Sequence, residues 1–444
     1  MIDIRFPECV LGVLEKLNNA GYEAYVVGGA VRDALLNRIS SDFDIATSAK
    51  TDEVKRVFAG ANIIETGIKH GTVTVISDNV GYEITTFRSD GEYSDARHPD
   101  SVRFIGDIYG DLSRRDFTIN AMAYSEKSGV IDLFDGKKDL EKGIIRAVGE
   151  PEKRFEEDGL RILRAIRFAA KLGFEIEERT LSAMQKCVKN LQSLSVERVF
   201  SELTQTLCST FAYSALKKYA FFLFAVLPEI QPEYKCDQMN RSHAYDVYEH
   251  TLQAIKHCER ATPAITWGLL LHDAGKPFSI VYGPDDQRHF PNHWVISERI
   301  ADKVLTRFKA SNDLKREVKF IALYHDDHLH GGKPVIKRFL NAYGKDYMYD
   351  LAVVKKADWL AHSEYGIKRY ENAYKTFIGY LDEVFENNEC YKVSQLKVNG
   401  DDVKALGYSG AFVGDLLEKI LNCVIDGTLE NDRQKILEFI KQNG

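Results

Sequence analysis

Along the first 145 residues the apolar positions switch repeatedly between two rhythms. Val10 to Asn19 repeats at helical spacing and predicts an amphipathic helix, "EAYVVGG" (23–29) reads as a strand, and "AVRDALL" (30–36) as a short helix. Three runs rich in β-branched residues, "DFDIAT" (42–47), "GTVTVIS" (71–77) and "YEITTFR" (82–88), predict further strands. A small α/β or α+β domain is expected there. From about residue 146 the rhythm turns helical and stays so to the C-terminus. "EEDGLRILRAIRFAAKLGF" (156–174) predicts a helix that stops at Gly173, a residue suited to the position just past a helix end. "YEHTLQAI", "AITWGLLLH" and "GDLLEKILNCVI" continue the helical pattern, and no fixed-period repeat is visible.

A chain of 444 residues is too long for one compact core, so two to four domains are expected. Hydrophobic residues at 44% and charged residues at 28% describe a globular protein, and ten prolines without a Ser/Gly run give no obvious linker. No window approaches twenty uninterrupted apolar residues, and "MIDIRFPECVLGVLEKL" lacks the pattern of a signal peptide, which argues against a membrane and for a cytoplasmic location. Seven dispersed cysteines without a Cys-x-x-Cys pair read as reduced thiols. The net charge of −7 says nothing against nucleic acid as a partner, because binding needs only a local basic surface.

Against this ordinary background some polar residues stand out. Gly28 and Gly29 lie between a strand and a helix, where bare backbone N–H groups can approach an anion. Thirteen residues past Gly29, Asp42 and Asp44 are two apart, so a strand would put both carboxylates on one face, where they repel unless a cation lies between them. Glu83 is the only charged residue in the core of "YEITTF". Three acids from two strands beside a phosphate cradle suit a pair of Mg²⁺ ions clamping a nucleoside triphosphate. The plain alternative is that Asp42 begins a turn and Asp44 faces solvent.

"GGAVRD", "DFDIAT", "YEITTFR", "RRDFTINAMAY" and "EDGLRILRAIRFAAKLGF", in this order over roughly the first 205 residues, resemble the class II tRNA nucleotidyltransferases (CCA-adding enzymes) and bacterial poly(A) polymerases. The resemblance implies an α+β nucleotidyltransferase head, a small mixed sheet with helices, over residues 1–145. An all-α neck (146–205), body (206–370) and tail (371–444) would follow. It makes Asp42, Asp44 and Glu83 the catalytic acids, with Asp42 and Asp44 as Mg²⁺ ligands. Gly28, Gly29 and Arg32 would hold the triphosphate, Arg114 and Arg115 would add phosphate contacts, and Asp116 would bind the ribose 2′-hydroxyl. Asp116 could equally cap a helix beginning in "DFTINAMAY", and the arginines could be a solvated surface pair. Asp158 and Arg161, three apart and expected on one helix face, would form a protein template that pairs with the edge of C or A but poorly with G or U. Their plain reading is a surface ion pair. Glu157 completes that motif without an assigned base contact, and "SVERVFSEL" (195–203) resembles a supporting helix. Arg164, Arg167 and Lys171 continue a basic stripe. "RSDGEYSDARHPDSVRF" (88–104) reads as a mobile loop, whose presence favours an enzyme able to add the terminal A.

Ten of the twelve histidines fall between residues 243 and 362. His250, His272–Asp273 and Asp358 match an HD phosphohydrolase pattern, which gathers a divalent metal from separate helices. His293 and His325 stand where extended members carry further ligands. Such a site admits Mg²⁺, Mn²⁺, Ni²⁺ or Co²⁺. His243, His257, His289, His328, His330 and His362 carry no assigned role, and "GAFVG" (410–414) in the tail is either a phosphate-binding turn or an ordinary connection. The implied reaction is addition of C-C-A to the tRNA 3′ end from CTP and ATP with release of pyrophosphate, alongside phosphohydrolase activity. Poly(A) synthesis is the nearest alternative, and a phosphohydrolase with the head as RNA platform a more distant one.

Overall fold

A computed structural model describes residues 4–443 apart from 41, 66, 69–70, 78–79, 91–101, 284–285 and 327–330. The chain divides into two compact units, Met1–Val226 and Leu227–Gly444.

In the first unit, helix Glu8–Asn19 buries Val10, Val13, Leu14 and Leu17. Among the described residues eleven strands follow: β1 (Ala24–Val27), β2 (Phe43–Thr47), β3 (Asn62–Ile64), β4 (Thr72–Ser77), β5 (Val80–Thr86), β6 (Arg88–Asp90), β7 (Val102–Phe104), β8 (Met122–Ser125), β9 (Gly129–Asp132), and a short parallel pair, β10 (Ile144–Ile145) with β11 (Glu175–Ile176). Seven form one mixed sheet in the order β3-β4-β5-β2-β1-β8-β9, while β6 and β7 pair separately. The period-2 pattern explains which side chains stay wet: Tyr82, Ile84 and Thr86 of β5 are buried, while Glu83 between them is exposed. The β2–β5 pair is parallel with Asp44 opposite Glu83, and β1 runs antiparallel to β2 with Val27 opposite Asp44. That register sets two carboxylates side by side next to the turn at Gly28. The loop at 88–104 lies partly outside the described residues.

Two expectations need correction. "DFTINAMAY" does not open a helix: Thr118–Asn120 is a single 3-10 turn that leads into β8, and the Asp116 side chain caps no helix. Asp158 and Arg161 do not share one helix either. One helix covers Pro151–Glu157, Asp158 is extended (φ −145°, ψ 104°), and a second helix spans Leu160–Leu172. Asn190 packs so closely that a Cβ on Gly159 would stand 3.0 Å from its carbonyl oxygen and its Cβ, so a side chain there would press on that backbone. The second helix ends as expected, with Gly173 left-handed at φ 75°.

The second unit is mainly helical. Side chains of Asp246, Thr262, Ser311 and Ser363 cap the helices Val247–His257, Pro263–Leu271, Asn312–Tyr324 and Glu364–Glu386. Pro263–Leu271 is apolar on every side and buried throughout after its first residue, so it runs through the core rather than along the surface. A short antiparallel pair, Val281–Tyr282 with Arg288–His289, interrupts the helical pattern. Towards the C-terminus, Val403, Ile420, Leu421, Ile436 and Ile440 form a further apolar cluster. Among the described residues no helix is long and apolar enough to cross a membrane, and no disulfide forms.

Candidate active site

The first unit contains a cavity of about 580 Å³ walled by Gly28, Gly29, Arg32, Asp42, Asp44, Glu83, Arg114, Arg115, Asp116, Asp158 and Arg161. The candidate catalytic and nucleotide-binding residues of this region therefore meet in one place. Burial and the neighbouring Asp42 charge raise the Asp44 carboxyl, partly offset by Arg115 and Arg164. Burial, then Asp44 and Asp42, raise Glu83. Three neighbouring carboxylates on or beside the wet face of the central strands β2 and β5 can hold a hard divalent cation. Gly28 has φ +70°, and a Cβ there would stand 2.9 Å from Arg115 Nη1 and 3.9 Å from Asp44 Oδ2. No side chain fits between acids and arginines, so the backbone lines the cavity at that point.

The cations of the cavity are held by partners the sequence did not announce. Asp111, fully buried, accepts from Arg114 Nη2 at 2.7 Å and Arg115 Nη2 at 3.1 Å. Burial alone would raise its carboxyl, but Arg115 and Arg114 overcome this and hold it below its ordinary value. Asp111 precedes these arginines by three and four residues, a helical spacing that could have marked it. Arg32, 3% exposed, donates to Asn120 Oδ1 at 2.7 Å and Asp33 Oδ1 at 2.8 Å. Asn120 Nδ2 in turn donates to Asp116 Oδ1 at 3.1 Å. Arg164 donates to Asp116 Oδ2 at 2.8 Å, and the guanidiniums of Arg32, Arg164 and Arg167 surround the Phe168 ring at 5.2, 5.5 and 4.4 Å. Burial would raise the Asp116 carboxyl, yet Arg164 and Asn120 bring it down to about 2.

Asp158 and Arg161 do not pair with each other. Asp158 Oδ1 accepts from Leu160 N at 3.0 Å and Oδ2 from Arg198 Nη2 at 2.7 Å. Arg161 is 8% exposed and donates to Glu157 Oε2 at 2.7 Å and to the Arg114 carbonyl at 3.0 Å. This removes the surface ion-pair reading. Arg198 comes from helix Val196–Leu207, whose Glu202 accepts from Arg167 Nε at 2.6 Å.

The second unit brings together His250, His272, Asp273, His293, His325 and Asp358. Their ligand atoms fall into the groups His250–His272–Asp273, His250–Asp358–His362 and Asp273–His293–His325, each within 4.8 Å. His362, without a role from sequence, joins the second group. His272, His293 and His325 each place Nδ1 at 2.6 to 2.9 Å from the carbonyl three residues earlier. A carbonyl only accepts, so Nδ1 carries the hydrogen and Nε2 is left bare. His293 Nε2 lies 3.2 Å from His325 Nε2 and 3.3 Å from Asp273 Oδ1. His272 Nε2 and both Asp273 oxygens make no hydrogen bond of acceptable geometry, although Lys276 Nζ stands 2.6 Å from Asp273 Oδ2. Converging lone pairs in a buried cluster repel unless a positive charge lies among them, so these residues fit a divalent cation.

Residues 24–146 match the family model of the poly A polymerase head domain, and 173–233 that of the probable RNA and SrmB-binding site of polymerase A. The CCA-adding enzyme of Streptococcus suis is 35% identical over 435 residues, covering 97% of this chain and 95% of that protein. The CCA-adding enzyme of Lactobacillus johnsonii is 36% identical, covering 98% and 96%. The crystal structure of the Bacillus stearothermophilus CCA-adding enzyme in complex with CTP superposes with a TM-score of 0.72 at 29% identity, covering 98% of this chain and 96% of that one. The Thermotoga maritima enzyme complexed with tRNA shares the fold at a TM-score of 0.58 and 22% identity, covering 99% and 97%.

Proposed function

The chain belongs to the CCA-adding enzyme family, and on that premise we propose that it transfers CMP and AMP from CTP and ATP to the 3′ end of tRNA, releasing pyrophosphate. The observation that carries this is the register placing Asp44 beside Glu83, at the mouth of a glycine turn too tight for a side chain. Asp42 and Asp44, with Glu83, would hold Mg²⁺, which when bound supplies charge neutralisation at the triphosphate and activation of the attacking 3′-hydroxyl. The Gly28–Gly29 backbone, Arg32, Arg114 and Arg115 would orient the triphosphate. The two arginines are already aimed by Asp111, so little side-chain freedom is lost on binding. Asp116 would accept from the ribose 2′-hydroxyl, its charge fixed by Arg164. Asp158 and Arg161 would read the base, each keeping unused hydrogen-bonding capacity for C or A. Residues 1–145, 146–205, 206–370 and 371–444 would serve as head, neck, body and tail, the tail holding tRNA.

The His/Asp cluster of the second unit supports a second activity, an HD-type phosphohydrolase. His250, His272, Asp273 and Asp358, extended by His293 and His325, would hold Mg²⁺, Mn²⁺, Ni²⁺ or Co²⁺. When bound, such a metal lowers the pKa of water for attack on a phosphoester. The bare Nε2 atoms around Asp273 favour this reading over packed histidines. The first proposal is tested by extending tRNA that lacks its 3′ end with CTP alone, ATP alone and both. Two C residues with CTP, and one further A when ATP is added, are expected. Asp44→Ala should lose addition by at least about a thousandfold while still binding tRNA, and near-normal addition by that variant would overturn the assignment.

A further inference from the structure

An in-line transfer fixes which side of the three acids each substrate occupies. The 3′-oxygen of the acceptor bonds to the α-phosphorus, the bond from that phosphorus to the α–β bridging oxygen breaks, pyrophosphate leaves with the electron pair, and the hydroxyl proton passes to solvent. Attacking and leaving oxygens therefore stand on opposite sides of the phosphorus. In the sheet order β4-β5-β2-β1 the glycine turn that would hold the triphosphate follows β1, and Asp44 and Glu83 lie on the two strands between it and β4. Adjacent strands are ~4.8 Å apart, so three spacings, about 14 Å, separate β1 from β4. With pyrophosphate at the Gly28 end, the attacking hydroxyl arrives over β5 and β4.

What the chain places there suits the end of an RNA strand. Thr85 is two residues past Glu83 on β5 and shares its face, while Ile84 between them is buried. Thr72 on β4 is its register partner, and the two hydroxyl oxygens are 2.9 Å apart. Both residues line the cavity. A hydroxyl pair sharing one hydrogen bond keeps a hydrogen and several lone pairs, so it can donate to a ribose and accept from it. Next to this pair, Thr86 N donates to the Gly71 carbonyl at 2.9 Å. The Phe104 ring packs on that glycine so tightly that a Cβ there would stand 2.5 Å from Phe104 Cε1, yet Phe104 stays 45% exposed. Phe104 is also the register partner of Arg88, another wall of the cavity. A lone exposed aromatic is ordinary. This one is seated beside two hydroxyls and on the side from which the attacking strand comes.

We propose that Thr72, Thr85 and Phe104 form the acceptor subsite: the last base of the tRNA stacks on Phe104, and its ribose 2′-hydroxyl bonds to the Thr72–Thr85 pair, which aims the adjacent 3′-hydroxyl at the α-phosphorus. The proposal rests on the nucleotidyl-transfer reading of the cavity. It divides that cavity between two substrates, the glycine turn and the arginines serving the incoming nucleotide and these three residues the strand being extended. Stacking tolerates any base, since every base has a π-face, so one subsite serves the strand although its last base changes with each addition.

The test uses the full chain with Mg²⁺, ATP and tRNA ending in C-C as acceptor. The acceptor is supplied in three forms that all keep the 3′-hydroxyl: unmodified, with an abasic last residue, and with a 2′-deoxy last residue. On the unmodified acceptor Phe104→Ala should slow A addition at saturating tRNA and ATP about tenfold, the scale of one base–aromatic stack, with KM for ATP within about twofold. Phe104→Tyr should keep most of the wild-type rate. On the abasic acceptor wild type and Phe104→Ala should agree within about twofold. Thr85→Val should slow addition about fivefold on the unmodified acceptor and have little effect on the 2′-deoxy one, since a contact the substrate lacks cannot be lost a second time. A Phe104→Ala defect that is as large without the base, or that appears in KM for ATP, would overturn the subsite. So would a Thr85→Val defect undiminished on the 2′-deoxy acceptor. If the wild-type chain extends none of the three, the transfer reading itself falls and the subsite with it.

Discussion

Asp116 shows how a single carboxylate can be both fold and chemistry. It ties the turn before β8 to helix Leu160–Leu172 through Arg164 Nε at 2.8 Å, and it lines the cavity of the first unit. Its carboxyl titrates at about 2 in the folded state against roughly 3.9 in an unfolded chain. A folded value below the unfolded one means the pairing stabilises fully above pH 4 and is lost as pH falls towards 2. The two-unit difference corresponds to about 3 kcal/mol. Asp116→Asn should therefore lower unfolding free energy by about that amount at pH 7, with wild type and variant converging by pH 2 in denaturant titrations. A constant gap down to pH 2 would show that the charge on Asp116 is not what stabilises.

At the level of elements, the glycine turn between β1 and helix Gly29–Leu35 does more than reverse the chain. Gly28 sits at φ +70°, where an L side chain is strained by about 1 kcal/mol or more, and its missing Cβ leaves the space taken by Arg115. Gly28→Ala should cost about 1–2 kcal/mol in stability and raise KM for CTP and ATP at least about tenfold. The kinetic loss should exceed what misfolding explains, since the added methyl displaces Arg115 at the triphosphate. Steady-state kinetics beside a thermal melt would separate the two effects, and an unchanged KM would place the triphosphate elsewhere.

Across the whole molecule, two sites of different chemistry lie in separate units. One offers carboxylates alone, which suit Mg²⁺, and the other imidazoles with carboxylates, which admit Mn²⁺, Ni²⁺ or Co²⁺. His272→Ala should reduce phosphoester hydrolysis at least about a hundredfold and leave C-C-A addition within about twofold. Mn²⁺ should raise the melting temperature of the wild-type chain, and less so in His272→Ala, because a ligand that binds only the folded state stabilises it. Loss of C-C-A addition in a folded His272→Ala protein would show that the sites are coupled.

The sequence alone determined strands β1, β2, β4 and β5 and the largely helical remainder, because each depends on local pattern. Period-2 runs set Glu83 on the wet face of β5, and the spacing of Asp42 and Asp44 marked two residues that the structure places in the wall of one cavity. Tertiary structure decided what depended on distant partners. The break falls at the extended Asp158 between two helices, and helical periodicity read straight through it. The turn after Asp116 yields a strand because β8 pairs with β1, a contact no local window contains. Asp111, Asn120 and Arg198 hold the cavity's charged groups, and of these only Asp111 left a local trace. His362 became legible only when helices far apart in sequence brought it beside His250 and Asp358. Pattern fixes which face of an element is apolar, but only packing decides which polar atoms are left facing one another.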